Sequence, residues 1–497
     1  MEVITAVLAW TVSSVCRDFF ASGDRWGICP RNVHDIPTEL QSRLSADAQI
    51  FLPGSSEFSQ ATDRWSALSA PTANIVVVPS VENDVVEAVK YANAQNISFF
   101  AVSTGHGSTT TLGKLQDGIE IWLHRLNSVE VAADGTTAKI GGGTKSKTVT
   151  DALWAQGKQT VTGACECVSL LGPGLGGGHG YLQGRYGLVS DQFVSMNIVL
   201  ANGELHTIDA ESDLWWAIQG AGHNFGIVTS VTSKIYDIQY PYWAYETFIF
   251  TGDQVEVLYE YIGKYHLNNG TPPVDLMSQS LYFNDFNINS TNAQGVKAVN
   301  PAYTTPFHDL RPIVTTAGHG LYTDISKWMG SAITSPPCQK AGLVNTLFPI
   351  DVEFYDILAQ RKVYDLFASV TQQIPALNRS VIFFEGYPVD GVKAVHSDQT
   401  AVSYRADNLL ISPLITYAPS PATPELDRAA ADLGGGIRQI IYEGSGREEL
   451  HAYVNYAFGD ETTQNWYGYE KWRQDRLKAL KEKYDPLGKF SFYAPIV

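Results

Sequence analysis

The sequence feature that most constrains the fold is a dense glycine run that begins at Gly172. Six of the nine residues from Gly172 to Gly180 are glycine, so this backbone can adopt positive φ angles and approach another group closely. Gly172, Gly174 and Gly177 satisfy the spacing G-x-G-x-x-G, in which backbone N–H groups contact a pyrophosphate. No clear strand precedes the run and no amphipathic helix follows it, so a Rossmann fold is a weak interpretation. A glycine-rich turn without a ligand is the alternative.

Composition excludes several classes of function. The chain has 497 residues, of which 51 are acidic and 34 basic, and its net charge is −17. This acidic balance repels phosphate backbones and anionic lipid heads, so the sequence predicts neither nucleic-acid nor membrane partners. No run of about 18 apolar residues is present. The five cysteines are too few for a disulfide scaffold, and Cys165 and Cys167 are too close for a C-x-x-C redox or zinc motif.

The pattern of residue types along the sequence changes three times, which predicts four segments. They are an N-terminal lead-in at 1–69, an α+β domain at 70–236, a second domain at 237–430 with an antiparallel sheet backed by helices, and a C-terminal segment at 431–497. Residues 1–20 include a candidate signal segment, but Glu2 stands where a basic residue is expected. Secretion and an intracellular location are therefore equally compatible with the sequence.

The first domain begins with a predicted β-α-β unit. Residues 74–78 and 97–102 are β-branched and aromatic runs, and Ser80 can cap the amphipathic helix between them. A polar turn, 103–107, follows the second strand.

Two later patterns are equally local. The Asn202-Gly203 pair separates strand-like runs at 196–200 and 204–208, which is typical of a hairpin. In the C-terminal segment, the charged stretch 471–483 is most simply a helix with a solvated face, ended by the turn at 485–488.

Several motifs in a fixed order point to one family. After the glycine run come Gly184-Arg185-Tyr186-Gly187-Leu188-Val189-Ser190-Asp191, the segment Asp213–Thr229 that contains Gly-Ala-Gly-His-Asn-Phe-Gly, and, near the end, Tyr453-Val454-Asn455-Tyr456 and Tyr484-Asp485-Pro486-Leu487-Gly488-Lys489-Phe490. This sequence resembles the PCMH-type FAD-binding domain of the vanillyl-alcohol oxidase superfamily, and within it the berberine-bridge-enzyme-like oxidases. The resemblance implies an α+β fold with a split FAD domain, two α+β subdomains closed by the C-terminal segment, and a substrate domain over the flavin ring.

The resemblance implies a covalent flavin. His106 occupies the position of a His that bonds the flavin 8α-methyl, and Cys165, eleven residues before Gly176, that of a Cys bonded to flavin C6. A neutral imidazole and a thiolate are suitable nucleophiles for this chemistry. The alternatives are a turn histidine and a buried thiol beside the cofactor. Two departures affect the details: Ser103 replaces the usual Arg, and Pro173 replaces a His that is frequent in bicovalent members.

The resemblance also supplies a wider set of cofactor-binding positions. Besides His106 and Cys165, these are Ser103, Thr104, Gly105, Gly107, Ser108, Val168, Gly172, Gly174, Gly177, Gly178, Asn224, Gly226, Val228 and Asn455. No metal is predicted, because His106, His179 and His223 lack carboxylates at ligand spacing.

Two residues are candidate catalytic groups by the same resemblance. His179 is the x of the Gly-Gly-Gly-x-Gly motif, a position where an active-site Tyr is common in the family. A His can act as a general base near neutral pH. Tyr456 matches a catalytic Tyr of related oxidases, although a phenol needs a lowered pKa or a partner to serve as a base. The alternatives are a backbone-bonded histidine and a core tyrosine.

The predicted function is an FAD-dependent oxidase of a small natural product. It would transfer hydride from a hydroxyl-bearing or activated carbon to flavin and reduce O2 to H2O2. Val168 is small at the position that lines the oxygen side of the ring in the family, which favours O2 as acceptor. Two alternatives stay open: an oligosaccharide C1-hydroxyl oxidase, and an FAD-binding protein that uses its cavity for cyclisation without net redox turnover.

Overall fold

The computed structural model describes residues 36–284, 299–420 and 423–497. The candidate signal segment at 1–20 therefore lies outside the described residues. None of the helices in the described parts is both long and apolar enough to cross a bilayer.

The chain folds into a mixture of strands and helices, consistent with the predicted α+β class. The strands are β1 Gln49–Phe51, β2 Ala73–Val78, β3 Phe99–Val102, β4 Gly118–Trp122, β5 Val129–Val131, β6 Thr137–Gly141, β7 Lys158–Gln159, β8 Phe193–Leu200, β9 Leu205–Asp209, β10 Gly226–Lys234, β11 Tyr236–Asp237, β12 Tyr242–Ile249, β13 Ser278–Phe283, β14 Val314–Leu321, β15 Val344–Leu347, β16 Ile350–Val352, β17 Val381–Gly386 and β18 Leu409–Tyr417. The α-helices are α1 Ile36–Gln41, α2 Ser56–Thr62, α3 Glu82–Gln95, α4 Ser146–Trp154, α5 Leu171–Gly174, α6 Gln183–Tyr186, α7 Trp215–Ala221, α8 Val255–Tyr261, α9 Pro301–Asp309, α10 Ile325–Trp328, α11 Ile357–Gln373, α12 Asp390–Lys393, α13 Thr423–Ser445, α14 Thr463–Tyr467 and α15 Lys471–Tyr484.

The first sheet contains the predicted β-α-β unit. Strands β2 and β3 both pair in parallel with β4, and β1 adds an antiparallel edge. Helix α3 covers this sheet through Val85 and Val89, which are fully buried. The N-terminal cap of α3 differs from the prediction. The Asp84 carboxylate accepts hydrogen bonds from the backbone N–H groups of Ser80 and Val81, so the Ser80 side chain is not the cap.

The second sheet is antiparallel, with strand order β5-β6-β10-β8-β9. The predicted hairpin is confirmed as β8 and β9, in which Val199 pairs with Leu205 across the turn. A large core lies under this sheet and contains fully buried residues such as Ile198. These two sheets are the two α+β subdomains that the fold prediction describes.

The third major sheet has strand order β13-β17-β18-β15, and β16 also pairs with β18. One face packs against α8, α11 and α13 around a core that includes Phe367 and Ile437. The predicted antiparallel sheet backed by helices is therefore confirmed. The four segment boundaries stay predictions; α13 spans residue 430 as one continuous helix.

The C-terminal helix α15 has the predicted solvated charged face, on which Lys471, Asp475 and Lys483 are exposed, but two of its cations are buried. Arg473 is fully buried, and its guanidinium donates to the carbonyl oxygens of Thr400 and Ser397. Lys481 is also buried and donates to the Asn224 carbonyl and to Asp485. Buried cations with satisfied donors fix this helix onto the earlier part of the chain, which closes the split domain.

Candidate functional site

The turn after β3 presents backbone N–H groups that could donate to a ligand. Within the described parts of the chain, the backbone N–H groups of Thr104 to Ser108 have no hydrogen-bond acceptor. The turn lies at the carboxyl end of a parallel strand, and Gly105 has φ of 73°. Buried or half-buried N–H groups need acceptors, and a run of them at such a strand end is an anion-binding feature. This turn is therefore suited to the phosphates of a dinucleotide.

The glycine run uses several of its backbone N–H groups within the protein. The N–H groups of Gly174, Gly176 and Gly177 donate to carbonyl oxygens three or four residues earlier. A Cβ at Gly176 would lie 2.2 Å from Oδ1 of Asn455, so the Asn455 side chain packs directly against this glycine. Asn455 in turn donates to the Pro173 carbonyl at 2.8 Å. Cofactor binding by Gly172, Gly174, Gly177 and Gly178 stays a prediction.

His106 lies at the centre of the polar turn. Its ring stacks on Trp65 with centroids 6.1 Å apart, and its Nδ1 is 3.3 Å from Oγ1 of Thr104. Burial, with a smaller contribution from the nearby Lys340 ammonium, lowers the pKa of His106 to about 4. The imidazole is therefore neutral at neutral pH, which is the form that can act as a nucleophile.

Three cysteines meet beside His106. Cys167 and Cys338 form a disulfide that joins the glycine-run segment to a loop 171 residues later. The free Cys165 Sγ lies 3.5 Å from that of Cys167 and 3.6 Å from that of Cys338. Because Cys167 is in the disulfide, Cys165 is the free thiol of this cluster, and its bond to flavin stays a prediction. Burial raises the pKa of Cys165 to about 11, so the thiol is protonated at neutral pH and needs deprotonation before it can bond a flavin.

A buried hydrogen-bonded network joins Glu385, near the end of β17, to Tyr387 and Tyr456. Sequence reasoning named Tyr456 as a candidate and missed Glu385 and Tyr387. The Tyr456 hydroxyl donates to Glu385 Oε1 at 3.2 Å, and the Tyr387 hydroxyl donates to Oε2 at 2.6 Å. Burial raises the pKa of Glu385, and burial together with the Glu385 carboxylate raises that of Tyr456 well above its ordinary value. The available signal was a carboxylate at the end of the apolar strand 381–386.

His179 lines the same cavity as Glu385. Its Nδ1 is 2.9 Å from Oε1 of Gln183, which can only accept, so Nδ1 carries the proton and Nε2 is the acceptor. The ring stacks on Tyr387 and meets the edge of Tyr453. Burial lowers the pKa of His179 to about 4, which makes it a weak base.

Other predicted cofactor positions serve the packing of the protein itself. Asn224 is fully buried; its amide donates to the Tyr467 hydroxyl and accepts from the Ile496 N–H. Gly226 and Val228 are in strand β10. Ser103 donates to the Gly142 carbonyl. Nothing in these contacts tests a cofactor role, so these four assignments stay predictions.

The residues present fit FAD. The turn 104–108 would hold its phosphates, His106 and Cys165 would be the nucleophiles toward its flavin ring, and the FAD would supply a hydride acceptor. Trp65 stacks on the His106 ring and also belongs to the apolar cluster against which Tyr456 packs, so the turn and the Tyr456 network border one site.

Comparisons with known proteins agree with this assignment. The FAD binding domain model matches residues 73–209, and the model described as berberine and berberine like matches residues 452–496. The chain is 51% identical over 505 residues to the FAD-linked oxidoreductase chyH of Penicillium rubens, covering 100% of this chain and 99% of the relative. It is 50% identical over 477 residues to the FAD-linked oxidoreductase chry5 of Gibberella zeae, covering 92% and 94%.

A solved structure shares the fold at low sequence identity. The glucooligosaccharide oxidase from Acremonium strictum, with its 6-S-cysteinyl, 8α-N1-histidyl FAD, matches with a TM-score of 0.75 and 18% identity, covering 93% of this chain and 98% of that one. The full-length relatives and the two family models place the chain in the family that its motifs predicted. The protein is an FAD-dependent oxidoreductase and belongs to the berberine-bridge-enzyme-like FAD-linked oxidoreductases.

Proposed function

We propose that the protein is an FAD-dependent oxidase that removes hydride from a hydroxyl-bearing or activated carbon of a small natural product and reduces O2 to H2O2. The observation that carries this proposal is the buried hydrogen bond between Tyr456 and Glu385, which supports a role of the pair as proton acceptor. FAD supplies the hydride acceptor when it is bound. The chain's own residues supply the base and orient the substrate.

The proton step uses Tyr456 and Glu385 as a pair. A substrate hydroxyl placed against Tyr456 gives its proton to the phenolic oxygen while the phenol proton passes to Glu385 Oε1. Alone, Tyr456 is a poor base because its pKa is raised well above the ordinary value. Glu385 is a stronger base than an exposed carboxylate because burial raises its pKa. Tyr387 holds the other carboxylate oxygen and fixes its orientation.

His179 has a positioning role in this proposal. Its Nε2 is an acceptor that can hold a substrate hydroxyl or N–H group, and Gln183 fixes the ring orientation through Nδ1. The low pKa of His179 leaves the catalytic base to the Tyr456 and Glu385 pair.

Further observations support O2 as the electron acceptor and bear on the substrate class. Val168 is a small, half-buried residue next to the cysteine cluster, and the family relationship associates a small residue there with oxidases. An oligosaccharide C1-hydroxyl oxidase is the second candidate, favoured by the fold shared with glucooligosaccharide oxidase and by the exposed aromatic residues Tyr240 and Tyr242.

Peroxide release by the purified flavoprotein tests the proposed function. The assay uses aerobic enzyme with benzylic alcohols, phenols and cello-oligosaccharides, and a coupled peroxidase detects H2O2. We expect peroxide with at least one aromatic alcohol or phenol. Peroxide with oligosaccharides only would favour the second candidate. No peroxide and no anaerobic flavin bleaching with any compound would contradict an oxidase and support a cavity used without net redox turnover.

The covalent flavin bond gives a separate prediction. After acid precipitation of the wild-type protein, we expect the yellow flavin colour in the pellet. In the His106→Ala variant we expect the colour in the supernatant if His106 forms the sole bond, and in the pellet if Cys165 also bonds the flavin. A comparison of His106→Ala with the double variant His106→Ala/Cys165→Ala then shows whether a second bond exists: colour kept in the pellet of the single variant and lost from that of the double variant would reveal a bond to Cys165. His223→Ala is the matched control, because this histidine is also buried and neutral but bonds only the Gly172 carbonyl. Colour fully released from the wild type would contradict a covalent bond.

A further inference from the structure

An exposed glycosylation motif lies on the short connection between α3 and β3. Asn96-Ile97-Ser98 is one of the Asn-x-Ser/Thr sequons of the sequence, and the others begin at Asn269, Asn289 and Asn378. A sequon is a short pattern, so its exposure and its surroundings decide whether it can carry a glycan. Asn96 and Ser98 are both exposed, whereas Ser380, the hydroxyl residue of the Asn378 sequon, is 1% exposed.

The local backbone holds the Asn96 side chain toward solvent. Asn96 is the C-cap of α3 and has φ of 52°, a left-handed conformation that Asn adopts more readily than most residues. Its backbone N–H donates to the Asn93 carbonyl, and the Ser98 carbonyl accepts from the Ile119 N–H at 2.8 Å. Ile97 packs against the core of the first sheet. The connection is therefore fixed by its backbone while its two polar side chains stay outside.

The reacting groups of the motif are not used by the fold. Neither the Asn96 amide nor the Ser98 hydroxyl has a hydrogen-bond partner in the part of the chain that the structure describes. The motif also lies away from the cofactor site, because β3 separates it from the turn 104–108 by about 13 Å of extended chain. An oligosaccharide at the amino end of β3 leaves the turn at its carboxyl end open.

The disulfide is independent evidence for the compartment in which the chain folds. Cys167 and Cys338 are joined although they lie 171 residues apart. Disulfides form and persist in oxidising environments such as the lumen of the endoplasmic reticulum, and they are rare in the cytosol. N-linked glycans are a modification of proteins on the same secretory route. The disulfide and the exposed sequon therefore point to one compartment.

We propose that Asn96 is an N-glycosylation site and that the chain folds in an oxidising compartment of the secretory pathway. The glycan donor is a lipid-linked oligosaccharide diphosphate. A bond forms between Nδ2 of Asn96 and C1 of the first sugar, the bond from that carbon to the diphosphate breaks, and the amide proton leaves as the lipid diphosphate departs. No electrons are transferred, and the modification is independent of the oxidase reaction.

Glycosidase digestion with peptide mapping tests the glycan. The full chain is produced in yeast cells, and the purified flavoprotein is treated with peptide-N-glycosidase, which releases the glycan and converts its Asn to a carboxylate. We expect the protein to migrate faster after digestion, and mass spectrometry to find the conversion at Asn96. An unmodified Asn96 in the undigested protein would overturn the proposal.

Three variants of the motif assign the glycan to this site. Ser98→Ala removes the hydroxyl that the sequon requires, and Asn96→Asp removes the acceptor but keeps a residue that tolerates the left-handed backbone, so each should carry one glycan fewer than wild type. Ser98→Thr is the matched control and should keep the glycan, since Thr also completes a sequon. All three should retain their flavin. A Ser98→Ala protein with the full wild-type glycan mass would contradict the assignment.

A second measurement tests the compartment without the glycan. The same wild-type protein is alkylated without a reductant and digested, and we expect the peptides that contain Cys167 and Cys338 to stay linked. Both cysteines recovered as alkylated thiols would contradict folding in an oxidising compartment. Neither readout involves peroxide, so a negative result here leaves the oxidase proposal in place, and a failed oxidase assay leaves this one.

Discussion

Glu385→Gln is expected to lower kcat about 100-fold or more while the protein keeps its flavin. A glutamine keeps the shape of the side chain and can still accept from Tyr456, but it cannot take up the proton that leaves the substrate. General-base catalysis typically contributes about 10²- to 10⁴-fold, so the loss falls in that range. The measurement is the rate of anaerobic flavin reduction in a stopped-flow instrument, with a substrate identified by peroxide release.

Variants of the same network separate proton transfer from general disruption. Tyr387→Phe removes only an orienting hydrogen bond and should cost much less than Glu385→Gln. Tyr456→Phe should cost about as much, and combining it with Glu385→Gln should cost little more than either alone, because the two residues act as a unit. A Glu385→Gln enzyme that reduces its flavin within threefold of the wild-type rate would show that another group is the base.

Arg64→Met is expected to lower the free energy of unfolding by about 3–5 kcal/mol, the cost of removing one partner of a buried ion pair. The Arg64 guanidinium lies 2.5 Å from the Glu120 carboxylate, and the two side chains are 6% and 0% exposed. Arg64 also donates to the Ala61 carbonyl, so its loss leaves a buried charge and an unpaired acceptor. The first transition in chemical denaturation of the holoenzyme measures the effect.

The double variant Arg64→Met/Glu120→Leu tests the cause. It should recover most of the lost stability, because it removes the unpaired charge and fills the space with apolar groups. Lys471→Met is the control for a surface pair: Lys471 is 87% exposed where it contacts Asp475, and we expect no measurable change. A double variant as unstable as Arg64→Met would show that packing around Arg64, not the stranded charge, determines the stability here.

The sequence by itself determined the local elements, the cofactor class and the family. Hydrophobic periodicity located β2, α3 and β3 to within about two residues, because each pattern depends on neighbours within one or two turns. The hairpin β8–β9 followed from Asn202-Gly203, since these residues adopt the turn at little cost. The order of the motifs from Gly172 to Phe490 identified the flavoprotein family and named His106 and Cys165. In the structure both side chains contact Cys167, at 3.4 and 3.5 Å.

Only the tertiary structure decided how these groups work together. The Cys167–Cys338 disulfide, which leaves Cys165 as the free thiol, joins residues 171 positions apart that no local pattern connects. Burial then set the proton affinities of Glu385, Tyr456 and His179, since desolvation depends on atoms brought in from distant segments of the chain.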